Sequence, residues 1–215
     1  VTSLTCLVAA MAGYALARWK SKLSTGLNLA IMSTLFVPFQ VYMVAMIIVV
    51  RQIGLTGNLI GLALVYIAMG MPVPIFLARS YATGMSIEIE EAAIIDGCSR
   101  PRMFFSIVLP LMKPVLATIA LWVGVGHWNA FFDSMVYTTS RELQTLQLYL
   151  YKMIKTAEFV SSADMGGLPS GVQSNVTATT VRYATIVIST IPILCIYPFL
   201  QRFLTKGIML GSLKG

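Results

Sequence analysis

Five stretches of this chain, 1–17, 27–50, 59–78, 115–132 and 184–200, contain no Asp, Glu, Lys or Arg. A helix crosses a hydrocarbon core with about 17–25 mostly apolar residues, and these runs meet that length. A charged side chain at the bilayer centre costs about 2.5–3.5 kcal/mol on insertion scales, so uninterrupted runs are a signature of lipid burial. Strands that cross a membrane alternate apolar and polar positions over about ten residues. These runs are apolar on every side, and the expected fold is an all-α polytopic membrane protein. Composition agrees, with 57% hydrophobic and 11% charged residues and a mean hydropathy of +0.82. A soluble domain carries about 25% charged residues, and half that share cannot coat a chain of this size in water.

The formal charge of +7 does not point to nucleic acid, because the basic residues flank the apolar runs and form no stripe. Their distribution gives a direction instead. Arg18, Lys20, Lys22, Arg79, Arg100, Arg102, Lys113, Arg202, Lys206 and Lys214 fall on one side, and Arg51, Arg141, Lys152, Lys155 and Arg182 on the other. Ten against five places the first group in the cytoplasm. The cytoplasmic side then holds the loop 86–110 and the C-terminus, and the outside holds 51–58 and 137–182. The chain begins at Val1 inside an apolar run, which reads as a domain over 1–215 whose first helix is missing. Cys6, Cys98 and Cys195 lie far apart and show no metal or disulfide spacing.

Pro38, Pro72, Pro74, Pro192 and Pro198 lie within the runs and are expected to kink them, since proline removes a ladder hydrogen bond. Polar and aromatic residues at membrane depth mark where a solute path would run. Trp128 and Asn129, beside His127, Phe131, Phe132 and Asp133, are the first such cluster, and Gln40 is a second point. Asn129 bonded to a neighbouring helix and Trp128 anchored at the interface fit the same pattern. On the outer side, 143–154 has helical spacing and 166–171 reads as a loop that meets a partner or simply connects. Asn175-Val176-Thr177 matches a glycosylation sequon, a triplet that chance often supplies.

The loop between the third and fourth runs is polar and helix-forming. Ser86 is placed to cap a helix over 87–96, with Glu88, Glu90 and Glu91 in its first turns, where the helix dipole favours acids. Gly97 suits a left-handed C-terminal cap and Pro101 discourages continuation. Ile87, Glu91, Ile94 and Ile95 share a face, and Ala92 and Ala93 permit close approach of a partner. Periodicity alone fits both a solvated connector and a docking helix.

The spacing of Glu91, Ala92, Ala93, Gly97, Ile107, Leu109 and Pro110 resembles the signature loop of permease subunits of bacterial binding-protein-dependent ABC importers. Gly126-His127-Trp128-Asn129, Gln201-Arg202-Phe203, Lys206-Gly207 and Lys214-Gly215 are similar to the carbohydrate-uptake branch, the maltose-type second permease. The resemblance covers essentially the whole chain and implies a type I importer transmembrane domain in the bacterial plasma membrane. It implies a second permease, usually a different chain, an extracellular solute-binding protein that delivers a sugar or oligosaccharide, and a separate cytoplasmic ATP-binding subunit. ATP would be bound by that partner, and this chain would need no cofactor of its own. The loop 86–110 would carry the coupling helix, with Glu91 meeting a basic residue in the ATPase groove and Gly97 making the turn. Pro110 and Pro114 would pass the motion rigidly into the fourth span.

Other function classes have less support. The sequence holds no Gly-rich phosphate loop ending in Gly-Lys-Ser/Thr, so it is not itself the ATPase. His127 has no acid or nucleophile at catalytic spacing, and no metal-ligand set emerges. Ion coupling calls for intramembrane carboxylates, and Asp133 at the edge of a run is the one candidate. An importer of the same architecture carrying peptides or other small solutes is the nearest alternative.

Overall fold

The prolines do more than kink the expected spans: in several places they end one helix and begin the next. The structure, a computed structural model, describes residues 1–138, 141–162 and 178–212, with side chains over 1–138, 142–159 and 178–198. The expected loop 166–171, the Asn175-Val176-Thr177 triplet and Lys214-Gly215 lie outside the described residues. No strand occurs among those described.

Helix α1 (Thr2–Arg18) is an apolar helix of 17 residues. Helix α2 (Lys22–Ser33) is capped by Ser21 and runs into a 3₁₀ turn, Thr34–Phe36. Val37 is then extended (φ −88°, ψ 116°) and α3 (Phe39–Gln52) starts after Pro38, 106° away from its predecessor. The cause is local: a residue before proline is disfavoured in the helical region, and Pro38 has no N–H to continue a ladder. The second expected span is therefore two helices. Helices α4 (Leu59–Gly70) and α5 (Pro72–Thr83) meet at Met71 with a 51° bend.

The polar loop holds α6 (Glu88–Ile95). Beyond it come α7 (Arg100–Met103), a π-helical turn over Phe104–Val108 and α8 (Leu109–Leu111). The chain bends by 73° into α9 (Lys113–Asn129). The π register precedes Pro110, which offers no N–H to the Ser106 carbonyl one turn back. Helix α9 ends at Asn129 because Ala130 is extended (ψ 108°), so Phe132 belongs to α10 (Phe132–Tyr137) and not to the fourth span. The segment after α10 folds as α11 (Leu146–Ser162), which starts later and runs further than the expected 143–154, and α12 (Ala178–Ser212) follows. Pro192 and Pro198 lie inside α12 without interrupting it. Its Ala178–Pro198 portion alone is long and apolar enough to cross a membrane, and each of the three bent pairs reaches that length together.

The core is built on small residues. Ala9 and Ala10 of α1 and Ala78 and Ala82 of α5 are wholly buried, and a Cβ placed on Gly13 would sit 2.6 Å from the Ala78 Cβ. Helices packed this closely without bulky side chains are typical of membrane interiors. The same cluster continues through Ala93, Met103, Phe104, Val108, Met112, Val115 and Ile119, which seats the loop on α1, α5 and α9. In contrast, Ile186, Ile191 and Leu194 of α12 are each more than half exposed, a surface suited to lipid or a neighbouring subunit.

Candidate functional site

The polar loop is shaped by backbone bonds at both ends. Helix α5 closes with Gly84, and the Glu88 amide donates to the Ser86 hydroxyl at 3.2 Å. At the other end the Gly97 amide donates to the Ile94 carbonyl and the Cys98 amide to the Ala93 carbonyl, both at 2.9 Å. Gly97 has φ +76°. This is the left-handed Schellman cap, completed by apolar contact between the residues flanking it, here Ala93 and Cys98 in the core cluster. The expected cap at Gly97 is thus present, and α6 begins one residue later than the sequence suggests.

The seven motif residues divide by exposure. Ala93 is buried and Ile107 and Leu109 pack against the core, so they hold the loop to the bundle. Glu91 and Ala92 are exposed, as are Gly97 and Pro110. Beside Glu91 the outward face of α6 is apolar: Ile87 and Ile94 are exposed and Ile95 is 85% exposed. Exposed isoleucines on a short capped helix form an apolar patch of the kind that marks an interaction surface.

One acid of the loop behaves differently. Glu90 is buried, and its carboxylate accepts from Tyr14 Oη at 2.7 Å and from Arg18 Nε at 2.7 Å. Arg18 Nη2 also donates to the Met85 carbonyl at 3.2 Å. Sequence reasoning placed Glu90 with its neighbours at the helix dipole and Arg18 among the basic flanks. The available signal was Tyr14 and Arg18 one turn apart on α1, beside the buried Ala10.

A second feature lies among the bent helices. A cavity of 620 Å³ is lined by Phe39, Gln40 and Tyr42 of α3, Tyr66 of α4, His127 of α9 and Asp133 of α10, among others. The Tyr66 and His127 rings lie 4.5 Å apart, centroid to centroid, tilted by 31°, and Phe39 and Phe132 meet edge to face at 6.1 Å. Tyr66 Oη and His127 Nε2 are buried with no hydrogen-bond partner among the described residues. Buried polar atoms are normally paired, so these two leave unused hydrogen-bonding capacity on neighbouring rings of the cavity lining. Gln40 thus lines this cavity. Trp128 instead donates its indole N–H to the Ser189 carbonyl of α12 at 2.9 Å and lines a separate apolar groove with Pro192 and Gly124. Asn129 is exposed at the end of α9, outside the cavity lining. Tyr66 was not singled out from the sequence, because an aromatic in an apolar run carries no mark of which face it takes.

Proline-broken helices that reach membrane-spanning length in pairs, packed around a cavity, define a helical membrane protein. The chain belongs to the family of binding-protein-dependent transport system inner membrane components, whose model matches residues 7–210. It is 36% identical to Protein LplC of Bacillus subtilis (strain 168) over 194 residues, covering 88% of this chain and 61% of that protein. It is 33% identical over 178 residues to the polygalacturonan/rhamnogalacturonan transport system permease protein YtcP of the same organism, covering 80% and 59%. This chain therefore spans less than two thirds of either relative. Among solved structures it is similar to a bacterial ABC transporter involved in the import of the acidic polysaccharide alginate. That match has a TM-score of 0.71 at 29% identity, over 93% of this chain and 69% of that one. The fold is that of an ABC importer transmembrane domain.

Proposed function

We propose that this chain is a non-catalytic permease subunit of an ATP-driven importer in a bacterial plasma membrane, forming part of the path for a sugar or oligosaccharide. The observation that carries this reading is the outward face of α6, where Glu91 and Ala92 stand among the exposed Ile87, Ile94 and Ile95 on a helix locked by its Schellman cap. Such a face suits the groove of a cytoplasmic ATP-binding subunit, with Glu91 toward a cation there and Ala92 allowing close seating. Ala93, Gly97, Ile107, Leu109 and Pro110 shape the loop that offers it. The basic flanks favour a cytoplasmic α6 and C-terminus. ATP belongs to the partner, and a second, different permease closes the path to which an extracellular solute-binding protein delivers cargo.

The relatives' carbohydrate names and the aromatic cavity support a saccharide cargo. Gln40 contributes an amide to the cavity, and Asn129 is offered to cargo at the end of α9. Trp128 braces α9 against α12 beside that path. Co-purification of the membrane-embedded chain, followed by identification of the attached proteins, tests the reading. The expected result is an ATP-binding subunit that is retained by the parent chain and lost, more than about tenfold, from a Glu91→Arg, Ile95→Asp variant. Retention of the same ATPase by that variant would overturn the assignment of α6.

A further inference from the structure

We propose that Glu90 is a positioning residue: gripped by Tyr14 and Arg18, it makes α6 move as one body with α1 and α5. A displacement delivered at α6 then enters the membrane core through α1. This rests on the reading of α6 as the ATPase-docking element.

The chain's own connections hold α6 weakly. It is eight residues long and buries only Glu90 and Ala93, and a methyl group cannot fix an orientation. Glu90 can, because both carboxylate oxygens are engaged by different residues of α1, Oε2 by Tyr14 and Oε1 by Arg18. Arg18 reaches further and bonds the Met85 carbonyl in the link between α5 and α6. A planar guanidinium that bridges a carboxylate and a carbonyl sets angle as well as distance. The other end of the clamp is equally firm, since α1 meets α5 at the closest approach of Gly13 to Ala78. The covalent route forward is the compliant one. It passes through the π turn Phe104–Val108 and a 73° bend before α9, and irregular helical registers are where helices yield.

The test uses the assembled transporter with its ATPase in nanodiscs, with Cys6, Cys98 and Cys195 replaced by serine. Gln40→Cys, in the cavity lining, reports access through its rate of labelling by a maleimide, without nucleotide and with ATP plus vanadate. In this parent the two rates should differ by about fivefold or more, as alternating access requires. Glu90→Gln should keep the ATPase bound and basal hydrolysis within about twofold, while the nucleotide-dependent difference in labelling falls below about twofold. Exchanging the charges, Arg18→Glu with Glu90→Arg, should restore the difference. A full labelling response in Glu90→Gln overturns the proposal. If the single variant does not assemble, the exchanged pair decides: recovery of assembly and response supports the clamp, and no recovery overturns it. Failure of the docking reading shows elsewhere, as a parent complex without ATPase or without any response to nucleotide.

Discussion

At the scale of single residues, two glycines do what no other side chain can. Gly97 holds φ +76° with open space around its α-carbon, so a substitution there meets strain and not a clash. Gly97→Ala should weaken the cap by about 1 kcal/mol, and Gly97→Asn by less because asparagine tolerates the left-handed region. Amide exchange at Cys98, whose N–H closes the cap, should accelerate roughly fivefold in the alanine variant; an unchanged rate would contradict the role given to the glycine. Gly13 is the opposite case. A Cβ there would lie 2.6 Å from the Ala78 Cβ and 2.7 Å from the Arg79 amide nitrogen, and neither can move aside. Gly13→Val should therefore separate α1 from α5 and lower the melting temperature of the detergent-solubilised protein by several degrees, about 2 kcal/mol of overpacking. Gly97 was legible in the sequence, because a glycine after a helical pattern with acids at its start and proline beyond it has few other readings. Glu90 was not. Its partners are 72 and 76 residues away, and no local pattern separates a buried acid from two exposed ones beside it.

Elements were legible where their cause is local and obscure where it is not. The charge-free runs and the loop helix are legible from length and pattern, and helical spacing over 143–154 located the first half of α11 (Leu146–Ser162). The sharpness of the breaks is not legible, because Pro38 lies at a 106° turn while Pro192 and Pro198 sit inside an unbroken α12. Side chains tie α11 to α12. Glu158 accepts from Arg182, across the two helices, and from Lys155 at 3.0 Å. Those bonds, Arg182's first, hold the Glu158 carboxyl below its ordinary 4.5, and Glu158 holds Lys155 above its ordinary 10.5. A lowered carboxyl value gives stability that is complete above 4.5 and lost as pH falls through the lowered value. A raised ammonium value gives stability that is complete below 10.5 and lost as pH rises through the raised one. The tether is therefore indifferent to pH across the neutral range. Amide exchange in α11, corrected for its intrinsic rate, should be flat from about pH 6 to 8 and rise in acid and in strong base, and about 1 M salt should loosen it because both cations are exposed.

The whole molecule joins the exposed face of α6 to a cavity among its bent helices, and the two are built from different parts of the chain. The helix and its caps lie within one loop, so the sequence pattern located them, while a docking role for the face came only with the family resemblance. The cavity is assembled from α3, α4, α9 and α10, brought together by breaks whose angles the sequence does not state. That is why Gln40, His127, Phe132 and Asp133, far apart in the chain, line one cavity while Trp128 turns to α12 and Tyr66 went unnoticed. If cargo completes the unpaired Tyr66 Oη and His127 Nε2, this ring pair should govern affinity without changing ATP hydrolysis by the proposed partner. Tyr66→Ala removes both ring and hydroxyl and should weaken the concentration dependence of oligosaccharide uptake into vesicles about tenfold, equivalent to about 1.4 kcal/mol. Tyr66→Phe keeps the ring at 4.5 Å from His127 and should fall between, while basal ATP hydrolysis stays within about twofold in both because α6 is untouched. Equal loss of uptake and hydrolysis in Tyr66→Ala would instead make the pair a structural strut between α4 and α9, and the path would have to be sought elsewhere in the bundle.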